Sequence, residues 1–243
     1  MMTSAKELII KPIGAKDANL IIKNLHYSNK VVPNSQLHFG VFLNGKCGGA
    51  MQFGPSMVKK TMMNLVEGTG WNNFIELNRM AFADWLPRNS ESRAIAYAMR
   101  YIKKNYPHIK WVVSFADATQ CGDGTIYRAS GFVLTDIRKS ESLRRNPANG
   151  EVMHVMQAYH LMMKDEFKTW EVLDGYQLRY VYFIDKSWED RLRAERLPFD
   201  KIKELGISMY RGVRHGSIDS DAPDFRSGES GAIPTPRLQL EEK

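Results

Sequence analysis

Four side chains of this 243-residue chain have types and positions suited to proton transfer or to holding an anion. Tyr127 lies in the run IYRASGF (126–132), where a short helix turns through Gly131 into a strand. A phenol can donate a proton and is a candidate acid, and the plainer reading is an amphipathic helix capped by glycine. His26 closes the first helical segment. Its imidazole titrates near neutrality and suits a base or a metal ligand, although a lone histidine equally serves packing. Asp117 ends a short apolar strand, where carboxylates commonly face a ligand; the alternative is an aspartate that opens a loop. Arg79 lies mid-strand and by alternation shares a face with Ile75, Leu77 and Ala81, so its charge requires a partner or a ligand anion. His26 and Asp117 are also the candidate metal pair.

These side chains need a scaffold, and the patterning supplies one. Residues 7–13 read as a strand and 15–24 as a helix with Ile21, Ile22 and Leu25 facing inward. Strands 36–43 and 47–53 flank Asn44-Gly45-Lys46, a strong hairpin signal. A Gly- and Asn-rich loop (64–73) precedes strand 74–82. Helix 91–105 carries the stripe Ala94, Ala98, Tyr101 and Ile102, starts at Asn89 or Ser90, and stops before Pro107. A short strand (110–114), a polar loop, helix 125–130 and strand 132–137 follow. Residues 138–150 read as a basic loop, 152–160 as helix or strand, 176–184 as a late strand and 188–196 as helix. The order predicts an α+β fold with a mixed, mostly antiparallel central sheet flanked by helices. Residues 1–205 form the expected catalytic domain, and 206–243, rich in Gly, Ser, Asp and Pro, an expected flexible tail.

Net charge is +7, and residues 206–243, with five Lys/Arg and six Asp/Glu, contribute −1 of it. The positive field therefore belongs to the domain and suits a polyanion such as nucleic acid, with solubility as the plain alternative. Lys139, Arg144 and Arg145 are the expected phosphate contacts. Trp71, Trp85 and Trp111 are either base-stacking platforms or core, with core the expectation for Trp111. Only Cys47 and Cys121 occur, a content that fits a reducing compartment. No apolar run is long enough to span a membrane and no secretory signal is evident, so a cytoplasmic location is expected. Metalloprotease, P-loop, CxxC and nucleophile-elbow motifs are all missing.

The strand, long helix, short strand and Tyr127 turn resemble the Gcn5-related N-acetyltransferases (GNATs). That resemblance implies coenzyme A in a gap between splayed strands, its pyrophosphate at the N-terminus of the long helix. Here that place is residues 88–93, with Arg88, Ser90, Ser92 and Arg93. Glu91 stands where the usual acetyltransferase loop has its first glycine. More specifically, LHYS (25–28), ELNRM (76–80), ESRAIAYAMRYI (91–102), SFAD (114–117) and GTIYRASGF (124–132) occur together and in order. Together they resemble the Mom family of phage DNA-modification proteins over roughly 25–197.

The Mom resemblance implies conversion of adenines in double-stranded DNA to the N6-methylcarbamoyl form, which shields phage DNA from host restriction. A phage-encoded protein of this kind works in the host cytoplasm. The resemblance also implies roles for His26, Tyr27, Arg79, Ser92, Asp117 and Tyr127, an acetyl-CoA acyl donor, and iron as a further cofactor. Two other readings remain open: a GNAT-type enzyme acetylating a protein or small amine, and a non-catalytic DNA-binding protein.

Overall fold

Asn44 and Gly45 adopt positive φ (51° and 80°), as a two-residue turn matching the right-handed twist of a hairpin requires. They join β2 (Leu37–Leu43) to β3 (Lys46–Gly54), with Leu43 paired to Lys46. The computed structural model describes residues 4–118 and 122–207. β1 (Ile9–Pro12) pairs antiparallel with β2, and β4 (Phe74–Phe82) with β3. β5 (Trp111–Asp117), β6 (Val133–Arg145), β7 (Val152–His154) and β8 (Glu171–Phe183) complete an eight-stranded sheet in the order β1-β2-β3-β4-β5-β8-β6-β7. Only β4 and β5 run parallel. The expected α+β class and mixed, mostly antiparallel sheet are what the chain adopts.

Helices cover both faces, which is why several strands are apolar throughout. On one face, α3 (Ser90–Asn105) buries Ala94, Ile95, Ala98 and Ile102 against Phe39, Met51, Leu77 and Val112. On the other, α1 (Ala15–Leu25) buries Ala18, Ile21 and Ile22 against Phe42, Ala50 and Ala81. The second face continues as a cluster around Trp111, which stacks on Phe74 at 4.4 Å and is fully buried. Trp111 is therefore core, whereas Trp71 and Trp85 are exposed. Lys59 lies over the Trp71 ring and Lys46 over that of Trp85.

Two irregularities shape the centre. Gln52 pairs with Arg79 and Phe53 with Leu77, leaving Asn78 as a bulge. An extra residue reverses the alternation beyond it. Ile75 and Leu77 therefore face α3, while Arg79 and Ala81 face α1; the single face expected for all four does not exist. The parallel pairing of β4 with β5 ends at Glu76 and Val113, and the strands diverge beyond that point.

The chain departs from the sequence reading in four further places. A short helix, α2 (Lys59–Met63), precedes the loop before β4. The expected basic loop at 138–150 is largely strand, because β6 runs to Arg145 paired with β8. Residues 152–160 are both expected states in turn: β7, then α5 (Val155–His160). With α6 (Lys164–Lys168) they form a satellite around buried Met153, Ala158, Phe167 and Trp170. The expected helix at 188–196 is a 3-10 turn, Lys186–Arg191, ahead of α7 (Asp200–Glu204). Residues 208–243, which make up nearly all of the proposed tail, lie outside the described residues.

Candidate active site

The gap between β4 and β5 is where the chemistry collects. α4 (Thr125–Ala129) is launched by Gly124 at φ 67° and by Asp123, whose Oδ1 accepts from the Thr125 backbone N–H at 2.9 Å. α4 presents Tyr127, whose ring stacks on buried Tyr180 at 5.0 Å and meets the edge of Phe132 at 5.3 Å. The Tyr127 hydroxyl lies 2.9 Å from Ser114 Oγ, which is itself 3.2 Å from the Leu77 carbonyl. Ser114 has one proton, and the carbonyl can only accept. Ser114 divides that proton between the Leu77 carbonyl and the phenol oxygen, and when it donates to the phenol it holds the hydroxyl by its acceptor side. Ser114 is fully buried and stands at the first position beyond the last β4–β5 pair.

From the opposite face come His26, Arg79 and Asp117. His26 caps the C-terminus of α1 and is buried, its ring 4.2 Å from that of exposed Tyr27. Nδ1 accepts from the Ser28 backbone N–H at 3.1 Å and lies 2.8 Å from Ser28 Oγ. The neutral ring therefore carries its proton on Nε2. Burial, reinforced by the nearby Arg79 guanidinium, lowers its pKa from 6.5 to about 3. A neutral imidazole with an outward Nε2–H is a hydrogen-bond donor and a weak base.

This shift has a consequence for stability. The unfolded imidazole titrates near 6.5, so the stability owed to a neutral His26 is complete above that pH. It is lost as pH falls from 6.5 toward about 3, at up to about 1.4 kcal/mol per pH unit. Urea unfolding across this range should show His26→Gln flattening the acid slope by about one proton.

Arg79 donates through Nε to the Lys30 carbonyl at 3.2 Å and through Nη1 to the Asn78 carbonyl at 2.7 Å. The partner its mid-strand charge required is thus backbone carbonyl. It lies on the face opposite α3, so as a candidate cofactor-binding residue, the ligand-anion alternative, it is apart from Ser90, Ser92 and Arg93. Asp117 ends β5 opposite Gln177. Its carboxylate raises the pKa of His154, while desolvation, Lys30 and Arg79 hold that imidazole below its usual value. His154, contributed by β7 from the satellite, thus belongs with Asp117, Arg79 and Lys30. Among the described residues no group of three His, Cys, Asp or Glu side chains is placed to hold a metal ion. With Nδ1 of His26 also engaged, the donor set does not fit the expected metal pair or iron chemistry.

At the N-terminus of α3, Asn89 is the cap, with φ 69° and no side-chain capping bond. Buried Ser90 donates its hydroxyl to the Pro87 carbonyl, and Ser92 donates to the Asn89 carbonyl at 3.2 Å. Arg93 Nη2 donates to the Lys6 carbonyl. The serines shape the turn, and the groups left for an anion are the first-turn backbone N–H donors with Arg88 and Arg93 beside them.

The basic segment divides by strand alternation. Arg144 Nη1 donates to the carbonyls of Lys168 (2.6 Å) and Phe167 (3.3 Å) at the end of α6. Arg145 pairs with Glu171 at 3.2 Å and Lys139 lies 3.9 Å from Glu141, all four side chains largely exposed. Exposed pairs contribute little and exchange readily for a phosphate. Arg144→Ala should accordingly loosen α6 by about 1.5–3 kcal/mol, read by amide hydrogen exchange, and leave the salt dependence of DNA binding unchanged. Lys139→Ala with Arg145→Ala should do the reverse, reducing the log–log salt slope by up to about 2.

Solved structures to which the chain is similar include the ribosomal-protein-S18-alanine N-acetyltransferase of Escherichia coli (12% identity, TM-score 0.45, 75% of this chain and 97% of that one). Another is a GNAT family acetyltransferase from Elizabethkingia anophelis with acetyl-CoA bound (15% identity, TM-score 0.41, 71% and 97%). The chain belongs to the Mom protein family, whose model it matches over residues 7–201. It is 43% identical over 202 residues to the methylcarbamoylase mom of Escherichia phage Mu, covering 79% of this chain and 81% of that protein.

Two site residues escaped the sequence reading. Ser114 had a signal, as the one hydroxyl in the apolar run WVVSF. His154 had none, because only the pairing of β7 with β6 brings the satellite toward the sheet.

Proposed function

We propose that this protein is a DNA adenine-modifying transferase, producing N6-methylcarbamoyladenine in double-stranded DNA and thereby shielding phage DNA from restriction in the host cytoplasm. The observation that supports this reading is the 43% identity to a methylcarbamoylase, in a chain whose β4–β5 pairing stops just before Ser114, which meets Tyr127 on one face of the sheet, with His26 beside Arg79 on the other. An acyl donor and an acceptor base can approach from opposite faces and meet in the gap. A base inside a duplex cannot reach it, so the target adenine must leave the stack.

The chain's own residues then have definite tasks. First-turn N–H groups of α3, with Arg88 and Arg93, hold the phosphates of an acyl-CoA donor, whose thioester supplies the activated carbonyl; transfer of an acetyl group alone gives N6-acetyladenine, so a further reactant of the amine class must supply the additional nitrogen of the methylcarbamoyl product. Adenine N6 is a poor nucleophile because its lone pair is delocalised into the ring, so attack needs its proton removed. Asp117 accepts that proton, and His26 donates from Nε2 to the acyl oxygen as charge grows there. Tyr127 protonates the departing sulfur, held in line by Ser114. Arg79 pins the segment carrying Lys30 and keeps His26 neutral. Exposed Tyr27, in ring contact with His26, is placed to flank the incoming base. Lys139 and Arg145 meet phosphates of the flanking duplex.

Nucleoside mass spectrometry of DNA from cells expressing the chain tests the reading. N6-methylcarbamoyladenine is expected. N6-acetyladenine, which lacks the additional nitrogen, would support the transfer and refute the product. Unmodified adenine beside newly acetylated protein or polyamine would move the acceptor away from DNA.

A further inference from the structure

The turn between α5 and α6 carries an unusual residue. Helix α5 ends in a Schellman motif: Met162 N–H donates to the Tyr159 carbonyl at 3.2 Å, and Met163 N–H to the Ala158 carbonyl at 2.9 Å. The motif places Met162 in the left-handed region at φ 57°, a position that favours glycine. Its side chain is 94% exposed, and neighbouring Leu161 is 53% exposed. A strained, unbranched apolar side chain in open solvent contributes nothing to folding, so its use lies outside the fold. The tip is nonetheless firmly based, because α5 and α6 stand on the satellite core of Met153, Ala158, Phe167 and Trp170.

Position gives that use a direction. His154, at the start of α5, is within electrostatic reach of Asp117, Arg79 and Lys30. Eight residues of mostly helical rise place the tip roughly 12 Å from it. Lys164 follows the tip, with its ammonium 5.1 Å from the centre of the Tyr159 ring, and Lys139 and Arg145 lie on neighbouring β6. An exposed apolar point on a chain of net positive charge, followed by Lys164 and with nearby Asp165 already paired to Lys168, suits a stacked, polyanionic duplex better than a flat protein surface. We infer that Met162, supported by Leu161, is a wedge that enters the DNA base stack beside the target adenine and holds open the space the extruded base leaves. The inference rests on the DNA-modification reading above.

Met162→Gly tests it, since glycine suits the backbone and removes only the wedge. The variant should melt at or above the wild-type temperature. A duplex is built around an adenine that the wild-type chain modifies in cells, with 2-aminopurine in its place. The full wild-type chain should raise the fluorescence of that duplex as the base unstacks. Met162→Gly should lose most of that rise and modify duplex DNA about tenfold or more slowly, yet match wild type on a single-stranded oligonucleotide, where nothing needs prising apart. Met162→Leu should retain the signal. An undiminished rise with Met162→Gly, or an equal loss on single strands, overturns the wedge. So does a change confined to self-association, seen by sedimentation, because the tip would then bind a second copy. The nucleoside analysis of wild-type cells is separate: modified adenine there with a failed wedge test refutes the wedge alone.

Discussion

Tyr127→Phe should reduce adenine modification by about 10²–10⁴-fold while leaving the protein folded. The ring stays where Tyr180 and Phe132 hold it, and only the hydroxyl is lost. Ser114 keeps its contact with the Leu77 carbonyl, so no buried group is stranded and the cost in stability is about 1 kcal/mol. DNA affinity should be unchanged. That combination separates an enzyme from a DNA-binding protein without chemistry, for which removal of one half-buried hydroxyl would have no effect on adenine. Nucleoside mass spectrometry and a binding isotherm on the same preparation give the answer. Full modification by the variant would take the phenol out of the reaction and leave the leaving group without its proton donor.

The second large effect is expected from Gly124→Ala, which leaves every reacting group in place chemically and displaces one. Gly124 has φ 67°, where an L side chain costs about 1–2 kcal/mol. A Cβ there would also fall 2.6 Å from Tyr180, whose ring is fully buried and whose hydroxyl donates to the Asp123 carbonyl. Overpacking of this kind adds about 1–3 kcal/mol. The strain passes directly to Tyr127, because the two rings stack. The variant should therefore lose about 2–5 kcal/mol in denaturant unfolding and also lose activity at temperatures where it remains folded. Tyr127→Phe, by contrast, should lose activity with little change in stability. Wild-type activity in a destabilised Gly124→Ala protein would mean that the precise seat of the phenol is unimportant.

Much of the architecture was legible because the signals are local. Asn44-Gly45 defines a hairpin through the φ each residue tolerates, the stripe from Ala94 to Ile102 fixes which side of α3 is buried, and Gly131 ends α4 whatever surrounds it. The tyrosine on that helix was legible as a candidate proton donor for the same reason. The errors arose where a local rule was overridden at a distance. Alternation placed Arg79 with Leu77, but the bulge at Asn78 exists only because β3 pairs in a shifted register there. The basic run at 138–145 looked like a loop because its polarity reflects an exposed strand, and strand formation depended on a partner, β8, tens of residues further along the chain.

Composition and spacing by themselves determined the α+β class, the positive domain and the set of side chains able to carry protons, since these follow from residue type and short-range period. Only the tertiary structure decided how those side chains meet. The parallel pairing of β4 and β5 stops after three residue pairs, and just beyond it Ser114 meets the Tyr127 phenol on one face of the sheet while Arg79 lies beside His26 on the other. Burial, reinforced by the charge of Arg79, keeps His26 neutral, and the Ser28 backbone N–H leaves its proton on Nε2. Pairing of β7 with β6 brings His154 within electrostatic reach of Asp117 and Arg79. Each of these outcomes depends on contacts between segments far apart in the chain, and a one-dimensional pattern carries no information about which distant segment will supply the contact.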